Sequence, residues 1–491
     1  MKLGELIGPE AALAEGSSDV SILGISADSR SVQPGDLFAA LPGGKTDGTK
    51  FIAEAVAKGA AAILMRHGAD AGDVAVPVIE VHEPRHTLSV AAARFFGAQP
   101  ETAVAVTGTN GKTSVASFVR QLWARRGFPA ASVGTIGVIA PKGTTILNHT
   151  TPDPIELHRI LAELAGEGVT HLAIEASSHG LQQHRLDGLK LKAGGFTNIT
   201  RDHLDYHHNF EDYLAQKLRL FRELLKPGDT AVVDIGSEAA ERVAAECIAR
   251  GLNLISVGKR GKTLRLLEAV PDGFSQTLKV LYEGETREVR LPLVGDFQAS
   301  NALVAAGLVM ATGATADEVL PMLAELQGAK GRLDLAGTTE EGAPVFIDYA
   351  HTPDALAKAI EALRPYVRHR LLVVFGCGGD RDRGKRPQMG AVATKLADQV
   401  YVTDDNPRSE DPAEIRRAIL SHAPGAIEIG DRTAAVGEAI SHLEAGDVLL
   451  VAGKGHETGQ VIGNRIIPYS DHDAVAAALK GKVPLKDETR G

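Results

Sequence analysis

Cysteine is nearly absent from this chain of 491 residues, which has two, Cys247 and Cys377. A disulfide scaffold of this length would use more, and the two do not form a close metal-binding pair. A reducing cytoplasmic setting is the simplest expectation. Aromatic residues are also scarce, at 4%. No run of about 18 apolar residues occurs, so no transmembrane helix is expected. The start, Met1-Lys2-Leu3-Gly4-Glu5, carries an acid early and no sustained apolar core, so no secretory leader is expected. Positive charge is in deficit: 52 Lys and Arg against 62 Asp and Glu give a net charge of −10. That balance argues against a general nucleic-acid or anionic-membrane binder and leaves room for a local basic pocket.

Apolar residues make up 44% of the chain. Alanine, valine, leucine and glycine dominate, which suits α/β layers. A prior of about 150 residues per domain suggests about three domains. The pattern places them at 1–98, a small α/β unit, at 99–328, and at 329–491. In the middle segment, strands are expected near His171 to Ala176, Gly195 to Ile199, Ala231 to Asp234 and Leu254 to Val257. With helices between them, they make the rhythm of a mostly parallel sheet. Turns at Asp272-Gly273 and Glu283-Gly284 predict added antiparallel strands. In the last segment Val345 to Tyr349, Leu371 to Phe375, Val400 to Thr403 and Val448 to Val451 predict a doubly wound sheet. Ligands of such a sheet gather beyond the carboxyl ends of its strands.

The most informative stretch is Ala103 to Thr113. It reads as a buried strand, a glycine turn and a helix start. Thr107-Gly108-Thr109-Asn110-Gly111-Lys112-Thr113 is a compact phosphate loop. Its glycines let backbone N–H groups approach an anion, which the positive helix end also favours. Lys112 adds charge, and Thr113 places a hydroxyl where Mg²⁺ sits in such loops.

Glu175 ends an apolar strand, a position for holding Mg²⁺, with helix capping as the plainer alternative. The run from Asn198 to His208 is dense in His and Asp and suggests a metal or phosphate site. Lys217, on spacing alone, reads as a solvated helix lysine, and Ser29-Arg30 as a capped, solvated loop. Arg381, Arg383, Lys385 and Arg386 form a basic patch after one strand, and Arg408 and Lys454 follow two others. Cations converging at one rim would suit a substrate with several carboxylates and phosphates.

Ten runs together resemble the Mur ligases, ATP-dependent amino-acid ligases of bacterial cell-wall precursor synthesis. They are DSRSVQPGDLFAALPG (28–43), TGTNGKT (107–113), TTPDP (150–154), EASSHGLQQHR (175–185), TNITRDHLDYH (197–207), GRLD (331–334), DYAHTPDAL (348–356), GCGGDRDRGKRP (376–387), DDNPR (404–408) and GKGHE (453–457). The likeness covers nearly the whole chain. It implies a three-domain architecture: a small N-terminal α/β domain, a central P-loop ATPase domain with a mostly parallel sheet, and a C-terminal Rossmann-like doubly wound domain.

The resemblance also implies roles. The 107–113 loop, Asn301, Arg332 and Asp348 match ATP contacts. Ser29, Thr150, Thr151, Ser177, Gln183 and Arg185 match residues that hold UDP-N-acetylmuramoyl-L-alanyl-D-glutamate. Thr113, Glu175 and His203 match Mg²⁺ positions, and Lys217 matches a lysine carried as a carbamate. Lys112, Glu175, His203 and Lys217 are the implied catalytic set. Asp405-Asn406-Pro407-Arg408 resembles the signature of members that select meso-2,6-diaminopimelate, with Arg381, Gly453 and Glu457 as further contacts. A guanidinium can bind the distal carboxylate bidentately, whereas lysine would leave it unpaired. The implied reaction phosphorylates a carboxylate, and the amine then displaces phosphate, with closure of the last domain over ATP. A monomer is expected. Two rival readings are a folylpolyglutamate synthetase-like ligase and a nucleotide-dependent switch. The DSR…GDLF and DNPR runs speak against the first. Under the second, the Asp348 and Arg408 clusters have no purpose.

Overall fold

The computed structural model describes residues 1–43, 47–200 and 209–481. Its packing separates two compact units. The first comprises residues 1–266, 281–283 and 300–320, and the second 267–280, 284–299 and 321–491.

The first unit begins with a parallel sheet of β1 (Gly24–Ser26), β2 (Asp36–Ala40), β3 (Ala62–Arg66) and β4 (Val78–Val81), in that order. Strand β2 is buried along its length because both faces are covered. Leu37 and Ala39 pack toward Leu3, Leu6 and Leu88, while Phe38 and Ala40 pack toward Ile52 and Ala55. That is why Leu37 to Ala40 is continuously apolar rather than alternating.

The larger sheet of this unit contains β5 (Thr102–Thr107), β6 (Ala130–Gly134), β7 (Gly137–Ala140), β8 (Gly143–Thr145), β9 (His171–Glu175), β10 (Leu191–Phe196), β11 (Thr230–Asp234) and β12 (Asn253–Gly258). Their spatial order is β12-β11-β10-β5-β9-β6-β7-β8. Pairings are parallel from β12 to β6, and β7 and β8 add an antiparallel edge. Strand β10 ends earlier than the expected Gly195 to Ile199. After Phe196, Thr197 and Asn198 leave the ladder and bond the loop after β5. Strands β6 to β8 lie outside the strands expected from the sequence, because their short segments show no clear period.

The expected antiparallel run follows as β13 (Leu264–Asp272), β14 (Ser275–Tyr282) and β15 (Glu285–Leu291). Glu283 and Gly284 both have positive φ, at 50° and 84°, as a tight hairpin turn requires.

The second unit is built on β16 (Asp334–Thr338), β17 (Pro344–Asp348), β18 (Leu371–Phe375), β19 (Gln399–Val402), β20 (Ile427–Glu428) and β21 (Val448–Ala452), ordered β16-β17-β21-β18-β19-β20. Only β16 runs antiparallel among these pairings. The insertion of β21 between β17 and β18 means that the connection from β20 to β21 runs back against the direction of those before it, and ligands of such sheets bind beyond the carboxyl ends of the strands. A separate hairpin, β22 (Gly459–Ile462) and β23 (Arg465–Pro468), follows. Among the described residues, no helix is long and apolar enough to cross a membrane.

Candidate active site

The loop after β5 is shaped by two glycines that no other residue could replace without strain. Gly108 has φ 147°, and a Cβ there would lie 2.0 Å from Thr197 Oγ1. Gly111 has φ 88°, and its Cβ would lie 2.3 Å from Oδ1 of Asn301, a buried residue of helix Asp296–Met310. Thr197 and Asn198 clamp the loop from the end of β10. Thr197 Oγ1 donates to Asn110 O at 2.6 Å, Asn110 N to Asn198 Oδ1 at 3.0 Å, and Thr109 N to Asn198 O at 2.8 Å. Thr109 Oγ1 also meets the Tyr213 hydroxyl at 3.1 Å, and Thr107 is fully buried at the strand end.

Two ammonium groups converge on the loop's carbonyls. Lys112 Nζ donates to Gly108 O at 3.0 Å and Thr109 O at 2.9 Å, and Lys217 Nζ donates to Gly108 O at 2.8 Å. Lys217 is 1% exposed and lies 4.4 Å from the centre of the Tyr213 ring. The solvated-lysine reading therefore gives way to a buried group of the loop. With the start of helix Lys112–Arg125, these cations make a setting for a polyphosphate. His203 lies outside the described residues.

Glu175 is 1% exposed at the end of β9. It accepts from Thr113 Oγ1 at 3.1 Å, from Thr135 N at 2.8 Å and from Thr135 Oγ1 at 3.1 Å. Its carboxylate lies against Gly134, where a Cβ would come within 2.1 Å of Oε1. Helix capping belongs to Ser177 instead, whose Oγ accepts from Gly180 N at 3.0 Å.

Thr135 joins this carboxylate to the next group, for its hydroxyl lies 3.1 Å from Thr150 Oγ1. Thr151 Oγ1 donates to Glu175 O at 2.8 Å and lies 3.0 Å from Ser177 Oγ. Arg185 donates to Thr151 O at 2.6 Å and to Gln183 Oε1 at 2.8 Å. Gln183 and Arg185 line a cavity with Ala27, Arg85, Leu88 and Asp153. Five of the six expected sugar-peptide residues are thus joined in one hydrogen-bonded patch. The sixth, Ser29, sits two residues beyond the cavity-lining Ala27. It is buried, and its Oγ donates to Glu54 Oε2 at 2.9 Å, so the solvated-loop account fails for it. It holds for Arg30, which is exposed and whose guanidinium bonds draw the Asp28 carboxyl down to about 2.

In the second unit the segment before β16, the end of β17 and the loops after β18, β19 and β21 carry the remaining expected residues. Arg332 lies 4.8 Å from the centre of the Tyr349 ring. Asp348 accepts from Leu333 N and Ala350 N, both at 2.8 Å. Burial pushes its carboxyl above the ordinary range despite the nearby Arg332 and these two bonds.

Asn406 and Arg408 both have positive φ, 44° and 51°. Arg408 donates to Gly379 O at 2.8 Å and Asn406 O at 3.3 Å. Pro407, between them, is packed so that a Cβ on Gly379 would strike its carbonyl oxygen. Asn406 Nδ2 donates to Glu457 Oε2 at 2.9 Å. Gly453 has φ 112°, and a Cβ there would lie 2.6 Å from Asp405 Oδ2.

The expected basic patch is divided by the structure. Arg381 is exposed. Arg386 is buried against Glu410 at 2.8 Å, Arg383 meets the same carboxylate at 3.0 Å, and their pull holds it at about 2. Lys385 donates to His351 O. These three are tied to protein acceptors, because Glu410 and the His351 carbonyl lie within their reach.

Residues that sequence reasoning passed over are Gly134, Thr135, Arg85 and Gln460, whose Oε1 accepts from Asn406 N at 3.2 Å. Lys454 was counted only as one more rim cation, although it is fully buried.

Three family models match this chain. The Mur ligase family catalytic domain matches residues 21–96, the Mur ligase middle domain 106–309, and the Mur ligase glutamate ligase domain 331–455. A protein of Bradyrhizobium diazoefficiens, named UDP-N-acetylmuramoyl-L-alanyl-D-glutamate–2,6-diaminopimelate ligase, is 56% identical over 98% of this chain and 100% of its own length. One of the same name from Brucella melitensis biotype 1 is 53% identical over 96% of this chain and 97% of its own. A solved structure of a ligase so named superposes with a TM-score of 0.74 at 31% identity, covering 98% of this chain and 99% of that one. From its phosphate loop to the loops after β21, this chain is a member of the Mur ligase family.

Proposed function

We propose that this chain uses ATP to join meso-2,6-diaminopimelate to the D-glutamyl γ-carboxylate of UDP-N-acetylmuramoyl-L-alanyl-D-glutamate in cytoplasmic peptidoglycan precursor synthesis. One observation carries the choice of amine. The Arg408 guanidinium is linked through Asn406 to the Glu457 carboxylate. A cation beside an anion complements an amino acid whose far end bears both a carboxylate and an ammonium. Its likeness to ligases bearing that substrate in their name, over 98% of the chain, supports the same choice.

A carboxylate is a poor electrophile, so its activation precedes bond formation. In this reading the loop 107–113, Asn301, Arg332 and Asp348 hold ATP. Lys112 neutralises charge as the γ-phosphoryl group passes to the D-glutamyl carboxylate. Thr150, Thr151, Ser177, Gln183, Arg185 and Ser29 hold the nucleotide-linked dipeptide. Asp405, Asn406, Pro407, Arg408, Arg381, Gly453 and Glu457 hold diaminopimelate. Its free amine attacks the acyl carbon, the amide C–N bond forms, the acyl C–O bond breaks, inorganic phosphate leaves carrying the former carboxylate oxygen, and the nitrogen releases a proton.

Magnesium fits the donors present. The Thr113 hydroxyl and Glu175 carboxylate are hard oxygen ligands, and they lie 3.1 Å apart. With His203 and Lys217 as a carbamate they would hold the ion, which would screen phosphate charge. The carbamate would form when neutral Lys217 Nζ adds carbon dioxide and loses a proton. The chain then works as a monomer in three modules, 1–98, 99–328 and 329–491.

The test supplies purified protein with ATP, magnesium, the UDP-linked dipeptide and either diaminopimelate or lysine. Phosphate release and product mass are followed. Ligation that depends on diaminopimelate is expected. ATP hydrolysis indifferent to any amine would overturn the reading and favour a switch.

A further inference from the structure

The Lys454 side chain, in the loop after β21, has no exposure at all, at 0%. An ammonium carries three N–H donors, and three oxygens surround this one: Asp405 Oδ1 at 3.3 Å, Asn406 Oδ1 at 3.1 Å and Glu457 Oε2 at 3.2 Å. All three acceptors belong to residues expected at the amine site. The arrangement also fixes the Asn406 amide. Its Oδ1 accepts from Lys454 and from Val461 N at 2.9 Å, so its Nδ2 must face Glu457. Glu457 Oε2 thereby takes two bonds, while the side chain stays 33% exposed.

The support continues outward. Arg432 is buried against Asp471 at 2.8 Å and donates to Ala452 O at 2.9 Å, just before Gly453. The Tyr469 ring lies 6.0 Å from Lys454 Nζ.

We propose that Lys454 is a positioning residue for amino-acid selection, holding Asn406 and Glu457 in the single arrangement that presents the Glu457 carboxylate to the distal ammonium of the substrate. This inference rests on the reading above. Without the ammonium, the Asp405 and Glu457 carboxylates lose the cation between them, Asn406 loses the bond that sets its orientation, and Glu457 is free to swing.

The probe is a pair of amines, meso-diaminopimelate and 2-aminopimelate, which lacks the distal ammonium. The wild-type protein should prefer the former. Lys454→Met should lower kcat/KM for diaminopimelate by roughly 10²-fold, mostly through KM, and affect 2-aminopimelate far less, so the preference collapses. Lys454→Arg, which keeps charge and donors, should retain part of it. Lys454→Met should add little to Glu457→Gln, because both remove the same contact. Thermal unfolding of each variant, read by calorimetry against the wild-type protein, reports whether it is folded.

An equal fall for both amines in folded Lys454→Met, or an unchanged preference, overturns the inference. Should Lys454→Met not fold, the Lys454→Arg preference decides: complete loss overturns the proposal and retention upholds it. If wild-type protein ligates neither amine, the fault lies in the functional reading.

Discussion

The loop after β5 and the rim around Lys454 both place charge beside backbone, yet they are held in opposite ways. In the first, glycine geometry makes the shape, and the lysines bond carbonyl oxygens of that same loop. In the second, a buried ammonium makes the shape, bonding side chains from two loops. A site for a phosphate chain, whose charge is spread over many oxygens, can be built from main chain. A site that must tell one amine from another needs side chains held in fixed rotamers.

That contrast can be broken first at the glycines. Gly111→Ala places a Cβ 2.3 Å from Asn301 Oδ1 at φ 88°. It should weaken ATP binding and lower ligation by on the order of 10³-fold, measured by calorimetry and phosphate release. Next comes Arg408→Ala, which should cost roughly 10²-fold in kcat/KM for diaminopimelate while ATP affinity is largely kept. Full retention of diaminopimelate turnover would show that the rim does not select.

Smaller effects sharpen the comparison through stability. Burial drives His158 down to about 4. Its folded pKa is depressed, so the unfolded chain binds the proton first as pH falls. Stability should therefore drop between about pH 6.5 and about 4, by at most about 3 kcal/mol. His158→Gln should flatten that slope in denaturant titrations. Asp234 has the opposite sign of linkage. Burial raises its carboxyl to about 6, against the bond from Ser300, so the folded form favours the proton. Stability is lost as pH rises from about 4 through about 6, and Asp234→Asn should stabilise by about 1 kcal/mol at neutral pH.

The phosphate loop was legible because strand, glycines, lysine and helix lie in one stretch of sequence. Turns at Gly273 and Gly284 were legible for the same local reason, since both need positive φ. The end of β10 was not, for the hydrogen bonds of Thr197 and Asn198 are made across about 90 residues. The cavity-lining Arg85 and the Glu175–Gly134 approach are likewise products of chain crossings. Charge counts misled at 383–386, where Glu410 lies far along the chain. The burial of Lys217 and Lys454 had no local signal, because a helix lysine and a loop lysine are ordinarily solvated.

The most direct test of the central claim, activation of a carboxylate by phosphoryl transfer, is isotopic. The UDP-linked dipeptide is prepared with heavy oxygen in its D-glutamyl γ-carboxylate, and the released phosphate is analysed by mass. An acyl phosphate predicts one heavy oxygen in each phosphate formed during ligation with diaminopimelate. Phosphate free of the label, with product still made, would contradict the account.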